Sequence, residues 1–208
     1  TAIHTWTEPV AADNVAVTSF VHNISSGYAF PLGLTTVAYT AADAAGNSLT
    51  LSFTVTVVDN QPPNVTNCPS NIVQDTDAGK NDAVVTWVAP GQFDNNQVAI
   101  FNQTHAPGDT FPLFLTTVTY YAEDPAGNSD ICVFTVTIED NENPTITSMP
   151  ASVTLDTDAN VPTAIHTWTE PVAADNVAVT SFVHNISSGY AFPLGLTTVA
   201  YTASDAAG

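Results

Sequence analysis

Residues 131–138 read Ile-Cys-Val-Phe-Thr-Val-Thr-Ile, and an apolar side chain occupies every second position from Cys132 to Ile138. Valine and threonine fill the positions between them. This period of two predicts a half-buried antiparallel strand whose apolar face turns toward a core. The rest of the chain is rich in valine and threonine, which favour strands, and in proline, asparagine and aspartate, which favour turns. The sequence therefore predicts an all-β protein.

The predicted strand belongs to a unit that recurs along the chain. Residues 1–46 return at 163–208 with a single substitution. A more divergent copy lies between them at an offset of about 81 residues, and it aligns Trp6 with Trp87 without a gap. Self-similarity at a fixed period indicates an array, and a unit of this length can bury its own core. We therefore expect tandem immunoglobulin-like antiparallel β-sandwich repeats, arranged as beads on a string.

Two short acidic segments that end in proline, 58–63 and 139–144, separate the units. Proline stiffens a linker and marks the start of the next strand. The predicted repeats are 1–58, which lacks its first strand, 59–140, which is complete, and 141–208, which lacks its last strand. Two interpretations stay open: the chain is a window cut from a longer array, or a partner chain supplies the missing strands by strand exchange.

The charge of the chain excludes two classes of partner. Twenty acidic residues and one basic residue, Lys80, give a formal net charge of −19. Such a chain is repelled by phosphate backbones and offers no basic surface to anionic lipid. It also has no apolar run near the roughly 18 residues that a membrane-spanning helix needs. The sequence therefore predicts no nucleic-acid partner and no membrane insertion.

The two cysteines, Cys68 and Cys132, fall in the first and last predicted strands of the middle unit. At the repeat offset, Met149 and Leu51 take their places. Joint replacement by apolar residues is expected when two half-cystines pair, so we predict a Cys68–Cys132 disulfide. Two separate buried thiols are the alternative. A disulfide indicates an oxidising compartment, and hence a secreted protein.

The order of motifs along the middle unit resembles that of the hyalin repeat family, the HYR domain. The matching motifs are Asp59-Asn60, Pro63, Cys68-Pro69, Val85-Thr86-Trp87, Asp94-Asn95, Phe111-Pro112, Asp124-Pro125-Ala126-Gly127-Asn128 and the strand from Cys132 to Ile138. The flanking units keep this pattern except for the cysteines. The resemblance covers essentially the whole chain. It implies immunoglobulin-like modules of extracellular matrix, cell-adhesion and complement-type proteins, with binding or architectural roles.

Aspartate and asparagine recur at the linkers and in turns at one end of each predicted sandwich. Oxygen ligands from several loops suit Ca²⁺, which takes about six to eight of them. We therefore predict calcium at the repeat junctions. The candidate ligands are Asp13, Asn14, Asp43, Asn47, Asp59, Asn60, Asp94, Asn95, Asp124, Asn128, Asp140 and Asn141. The alternative is that these are ordinary turn residues, as we interpret the Asp75-Thr76-Asp77 segment.

Other motifs carry weaker signals. Four sequons make N-glycosylation a candidate modification of a secreted chain, at Asn23, Asn64, Asn102 and Asn185. The five histidines show no metal-ligand spacing and no nucleophile-elbow motif is present, so we predict that the chain is not an enzyme. Trp6, Trp87 and Trp168 share one repeat position, and we expect each to lie on a strand and pack into a core.

These observations favour a structural or adhesive extracellular module that belongs to a fibre, coat or matrix. Its partners would be other copies of itself or matrix and cell-surface proteins, and calcium would stiffen its junctions. Two alternatives are the stalk of a cell-surface adhesin or receptor and an accessory module of a secreted enzyme.

Overall fold

The computed structural model describes residues 1–207, and strands are the regular elements within that range. No helix of the described chain is long and apolar enough to cross a membrane. The prediction of an all-β protein is confirmed. The chain forms two compact units, one of residues 1–63, 94–99 and 123–129 and the other of 64–93, 100–122 and the chain from 130 onward.

The strands follow the repeats. The first repeat contains β1 (Ala2–Ile3), β2 (Val17–His22), β3 (Ala29–Phe30), β4 (Gly33–Asp43) and β5 (Ser48–Val57). The middle repeat contains β6 (Asn64–Thr66), β7 (Ile72–Asp75), β8 (Asp82–Val84), β9 (Gly91–Phe93), β10 (Ile100–Gln103), β11 (Thr110–Pro112), β12 (Phe114–Glu123) and β13 (Ser129–Glu139). The third repeat contains β14 (Thr145–Thr147), β15 (Thr163–Ile165), β16 (Val172–Ala174), β17 (Ser181–His184), β18 (Ala191–Pro193) and β19 (Tyr201–Ser204).

Four strands of the middle repeat form one sheet in the order β10, β12, β13, β7. Within it, β7 runs parallel to β13, with Ile72 opposite Val136. Two antiparallel pairs, β8 with β11 and β6 with β9, complete the repeat. The Trp87 ring contacts Phe111 of β11 and Phe134 of β13, at centroid distances of 5.9 and 5.3 Å. Trp87 therefore packs between the two sets of strands, as expected in a β-sandwich.

The alternation expected for β13 is present. Cys132, Phe134, Val136 and Ile138 are buried, whereas Val133 between them is exposed. Other buried side chains of the middle repeat complete this core: Val65, Ala83, Val85, Phe111, Val118, Tyr120 and Ala122. Because apolar burial is the dominant favourable term in folding, this face of β13 anchors the repeat.

A disulfide joins Cys68 to Cys132, and their Cα atoms lie 5.6 Å apart. Cys132 is only 3% exposed, whereas Cys68 lies on the surface. Cys68 also lies outside the strand predicted for it, because β6 ends at Thr66 and the following residue, Asn67, has a positive φ of 57°. That left-handed residue turns the chain out of the sheet before the cysteine.

The flanking repeats expose apolar side chains at positions whose equivalents are buried in the middle repeat. In the first repeat, β2, β4 and β5 form a sheet, and a small core contains Phe30, Val37 and Tyr39. Leu51 occupies the Cys132 position of this repeat but is 66% exposed. Residues 1–58 contain no counterpart of β6 and β7.

Several short elements differ from the sequence prediction. The three tryptophans were each expected to lie on a strand, and this is wrong, because β1 ends at Ile3, β8 at Val84 and β15 at Ile165. Trp87 is positioned instead by a side-chain bond, since its Nε1 donates to the Tyr120 hydroxyl at 2.9 Å. The strands β7, β9 and β11 are only three or four residues long. Such strands are defined by their pairing partners and have too few positions to show a period.

Candidate metal centres

Three aspartates from separate segments converge at the entrance of the middle repeat. Asp59 lies in the linker, Asp94 follows β9 and Asp124 follows β12. Each contributes one carboxylate oxygen, and these three oxygens lie within 4.8 Å of one another. Like charges at this distance repel one another, so such a cluster needs a source of compensation.

The hairpin between β12 and β13 holds Asp124 in place. The backbone N–H of Asp124 donates to the carbonyl of Asn128 at 3.0 Å, and Gly127 supplies the positive φ of 89° that the tight turn requires. The Asp124 carboxylate is 2% exposed and accepts from the backbone N–H groups of Ala126 and Asn128, both at 2.8 Å. Burial raises the pKa of Asp124, but these bonds and the Asn128 side-chain amide outweigh burial and keep that pKa below its usual value.

The other two carboxylates are held by their own loops. Asp94 Oδ2 accepts from the backbone N–H groups of Asn96 and Gln97 at 2.7 and 2.9 Å. Asp59 Oδ1 accepts from the N–H of Gln61 at 3.2 Å. Turns in which an aspartate side chain caps the following N–H groups form locally, so these loops place their carboxylates before any ligand is present.

The arrangement recurs one repeat later. Asp140, Asp175 and Asp205 occupy the corresponding positions in the next linker and the third repeat, and their oxygens also lie within 4.8 Å of one another. Asp175 Oδ1 accepts from the N–H groups of Val177 and Ala178, which reproduces the turn at Asp94. The three-carboxylate cluster therefore recurs with the period of the sequence repeat.

Both clusters contain buried oxygens that lack a hydrogen-bond donor. Asp59 Oδ2 and Asp94 Oδ1 in the first, and Asp175 Oδ2 in the second, have no partner within the described residues. The neighbouring Asn176 Oδ1 is in the same state. A buried, unpaired carboxylate oxygen is costly, and a cation that accepts oxygen ligands removes that cost. The donor set is all oxygen and therefore fits a hard divalent cation such as Ca²⁺.

The sequence prediction identified part of these clusters. Four predicted ligands contribute carboxylates: Asp59, Asp94, Asp124 and Asp140. The prediction omits Asp175 and Asp205. The repeat carried the signal for both, because they are the copies of Asp13 and Asp43.

Most of the predicted amide ligands act as donors. Asn128 Nδ2 donates to Asp124 Oδ2 at 2.7 Å and to the Asp59 carbonyl at 3.1 Å, which braces the first cluster. Asn95 Nδ2 lies 3.4 Å from Asp59 Oδ1. The Asn141 amide donates to Asp75, outside the second cluster. Asn14 and Asn60 lie on the surface.

The first repeat contains two of the three positions. Asp13 is exposed and caps the N–H groups of Val15 and Ala16. Asp43 accepts from the Asn47 side chain at 2.7 Å, and this bond is the main cause that lowers the pKa of Asp43. Residues 1–58 contain no counterpart of Asp59, and they show no group of three carboxylates.

The HYR domain family model matches the chain three times, over residues 1–57, 58–138 and 139–208. The chain belongs to the HYR domain family. Hyalin of Strongylocentrotus purpuratus is 41% identical over 98% of this chain and 17% of that protein. Hyalin of Lytechinus variegatus is 37% identical over 98% of this chain and 40% of that protein. A sushi, von Willebrand factor type A, EGF and pentraxin domain-containing protein of Rattus norvegicus is 33% identical over 65% of this chain and 4% of that protein. The chain thus spans less than half of each relative.

The first and third HYR repeats share a polar clamp that the middle one lacks. Trp6 Nε1 donates to the Tyr39 hydroxyl at 2.6 Å, and that hydroxyl donates to Glu8. The bond from Tyr39 is the main cause that lowers the pKa of Glu8, whereas burial, followed by Glu8, raises the pKa of Tyr39. The third repeat has the same clamp, with Glu170 in the place of Glu8. The middle HYR repeat has Ala89 at this position.

The four sequons fall into two structural classes. All four asparagines are exposed, and the side chains of Asn64 and Asn102 in the middle HYR repeat make no hydrogen bond within the described residues. Asn23 instead pairs with β4, because its Nδ2 donates to the Thr36 carbonyl at 3.0 Å and its Oδ1 accepts from the Ala38 N–H at 2.8 Å. Asn185 makes the same two bonds in the third repeat. An N-linked sugar replaces one of the two Nδ2 hydrogens, and the resulting secondary amide is trans. The sugar therefore takes the place of the hydrogen on the same side as Oδ1, which is the hydrogen that faces the strand.

Proposed function

We propose that this chain is a segment of an extracellular adhesive or structural array whose repeat junctions bind calcium. Membership of the HYR family, the hyalin relatives and the Cys68–Cys132 disulfide support an extracellular location and a non-enzymatic role. Other copies of the array and matrix or cell-surface proteins are the proposed partners, and a fibre, coat or matrix is the proposed assembly.

The observation that carries the calcium proposal is the repetition of the cluster together with its buried, unpaired oxygens. Ordinary turn aspartates would be expected in solvent, whereas Asp124 and Asp205 are buried. In addition, one buried carboxylate oxygen of each of Asp59, Asp94 and Asp175 has no donor within the described residues. The ion would be held by Asp59, Asp94 and Asp124 at one junction and by the second cluster at the next. Bound calcium would supply positive charge that cancels the repulsion among three carboxylates. With that repulsion removed, linker and loops would be fixed together and the junction stiffened.

Calcium titration of the chain tests this proposal. Extracellular calcium modules bind with dissociation constants of about 0.1 to 1 mM, and we expect that range here. At free calcium about ten times the dissociation constant, each site would stabilise its repeat by about 1.4 kcal/mol. Thermal unfolding in calcium and in excess chelator measures this effect.

Three matched variants locate the sites, because the same loop aspartate occurs in each repeat. Asp94→Asn and Asp175→Asn should each remove one of the two sites counted by calorimetric titration. Asp13→Asn alters the identical loop in the first repeat, where the third carboxylate is absent from residues 1–58, and should leave both sites intact. Equal stoichiometry in all three variants would refute the assignment.

The stalk of an adhesin or receptor is a second candidate function, and an accessory module of a secreted enzyme is a third. An isolated stalk predicts single extended particles in calcium, whereas a fibre or coat predicts ordered assemblies. Electron microscopy of the chain in calcium separates these outcomes.

A further inference from the structure

Residues 75–82 of the middle repeat form a turn that we call the junction turn. Its backbone is closed by bonds from the Asp77 N–H to the Asp82 carbonyl at 2.8 Å and from the Lys80 N–H to the Asp77 carbonyl at 2.9 Å. Gly79 in its centre has a φ of 70°. The turn contains the one basic residue of the chain, Lys80, whose ammonium group lies 3.3 Å from the Asp77 carboxylate.

Side chains from beyond the middle repeat bind this turn. Asn141 Nδ2 donates to Asp75 Oδ1 at 2.6 Å, and Glu142 Oε1 accepts from the Gly79 N–H at 2.8 Å. Asn176 of the third repeat donates to the Lys80 carbonyl at 2.8 Å and lies 3.2 Å from the hydroxyl of Thr76. The segment that we interpreted as a plain turn is therefore a contact surface between consecutive repeats.

Asn176 also contacts the acidic cluster. Its Nδ2 lies 3.1 Å from Asp140 Oδ1, and it directly follows Asp175 in the loop that the Asp175 carboxylate caps. One amide group thus bridges a cluster carboxylate and the junction turn. Asn95, its counterpart in the middle repeat, is exposed, and residues 1–58 contain no counterpart of the junction turn.

We propose that Asn176 couples the acidic site formed by Asp140, Asp175 and Asp205 to the junction turn, so that a cation bound at this site fixes how the third repeat docks on the middle repeat. This inference depends on the calcium site proposed above. Without a cation, repulsion among the three carboxylates moves the Asp175 loop away from Asp140. Asn176 moves with that loop and loses its acceptors on the junction turn.

The junction turn recurs with the repeat, because the third repeat has the same turn. The Asp158 N–H donates to the Thr163 carbonyl at 2.8 Å and the Val161 N–H to the Asp158 carbonyl at 3.3 Å, which reproduces the two backbone bonds of the junction turn. Asn160 replaces Gly79 and keeps a positive φ of 63°. The partner that fits this surface is therefore another HYR repeat that carries the Asp-Asn pair of residues 175–176.

Residual dipolar couplings of the whole chain test the coupling. The backbone couplings of the middle and third repeats fit one alignment tensor when the repeats are rigidly docked and two different tensors when they move independently. In saturating calcium we expect one common tensor for the unaltered chain, and two in excess chelator. Calorimetric titration of the same samples counts the bound calcium ions separately.

Two variants isolate the amide. Asn176→Ala removes the whole amide, and Asn176→Asp keeps a side-chain oxygen but removes the N–H donors. Each is measured at calcium concentrations that saturate its site, and both should show two tensors there. Asn95→Ala, the same change one repeat earlier, should keep the common tensor.

The possible results separate this inference from the proposed function. A chain that binds calcium but keeps a common tensor in both Asn176 variants refutes the coupling and leaves the calcium site standing. A common tensor of the unaltered chain in chelator also refutes the coupling. Absence of calcium binding refutes both.

Discussion

Removal of the disulfide should lower the unfolding free energy of the middle repeat. The length of the loop that the disulfide closes sets the main part of this loss. The bond spans a sequence separation of 64 residues, and in the chain-entropy model a loop of this length is worth about 4 kcal/mol. In the C68A/C132A variant, truncation of the buried Cys132 also leaves a small cavity, which costs about 1 kcal/mol more. The expected loss of unfolding free energy is therefore about 5 kcal/mol, from the sum of these two effects.

Hydrogen exchange measures this loss for one repeat at a time. Amides of β12 and β13 are buried in the core of the middle repeat, and we expect them to exchange through its global opening. A loss of about 5 kcal/mol accelerates such exchange by roughly several thousandfold, since every 1.4 kcal/mol is a factor of ten. Amides of β4 and β5 belong to the first repeat, which has no cysteine, and provide an internal control.

A second variant separates the entropy of the unfolded chain from packing. C68M/C132L introduces the residues that the flanking repeats carry, so it refills the cavity but leaves the loop open. We expect it to lose about 4 kcal/mol, the chain-entropy part alone. If β13 amides of this variant exchange less than tenfold faster than in the parent, restriction of the unfolded chain is not what the disulfide contributes.

Three further predictions concern the pH dependence, the core and the surface. The pKa of Glu8 and that of Glu170 are lowered in the folded state, so their contribution to stability is complete above their unfolded value of 4.5 and is lost as the pH falls through the folded values. Thermal unfolding between pH 7 and 3 should therefore depend less on pH in E8Q/E170Q than in the parent, and an equal dependence would contradict the role of the clamp. Tyr120→Phe removes the acceptor of the Trp87 indole N–H and should destabilise the middle repeat by about 1 kcal/mol, measured by the same hydrogen exchange of β12; an unchanged rate would show that solvent replaces the bond. When the chain is secreted from eukaryotic cells, peptide mass spectrometry should find N-glycan on Asn64 and Asn102 in preference to Asn23 and Asn185. Full glycan occupancy of Asn23 and Asn185 would show that their bonds to the neighbouring strand are dispensable.

The long central strands were accessible from the sequence because their own pattern defines them. The alternation in β13 is written in consecutive residues, and the disulfide could be inferred because Met149 and Leu51 replace both cysteines at once. The strand β7 has no such pattern: Ile72–Asp75 contains two apolar residues followed by two polar ones, and it becomes a strand by pairing in parallel with β13. A strand that is defined by pairing with a distant segment need not show an alternating pattern in its own sequence.

The candidate metal centres divide in the same way. Aspartate and asparagine in turns mark where ligands are available, and those positions could be read from the repeat. Which carboxylates meet depends on how the linker, the loop after β9 and the hairpin after β12 pack together, and no local signal encodes that packing. The contacts of Asn176 with Thr76 and Lys80 join residues about a hundred positions apart, which is why the 75–82 segment gave the appearance of an ordinary turn.

The placement of the covalent bond gives the repeats unequal extensibility under a pulling force. The 64-residue separation between Cys68 and Cys132 corresponds to a contour of about 220 Å at roughly 3.4 Å per residue, and this length is withheld from a stretched chain while the bond is intact. The flanking repeats contain no cysteine and would release their full contour when they rupture. An array that alternates the two kinds of repeat therefore takes most of its extension from every second module, and only a reducing agent releases the length closed by the disulfides. Force spectroscopy would resolve these as long and short steps, and the short steps would become long in reductant.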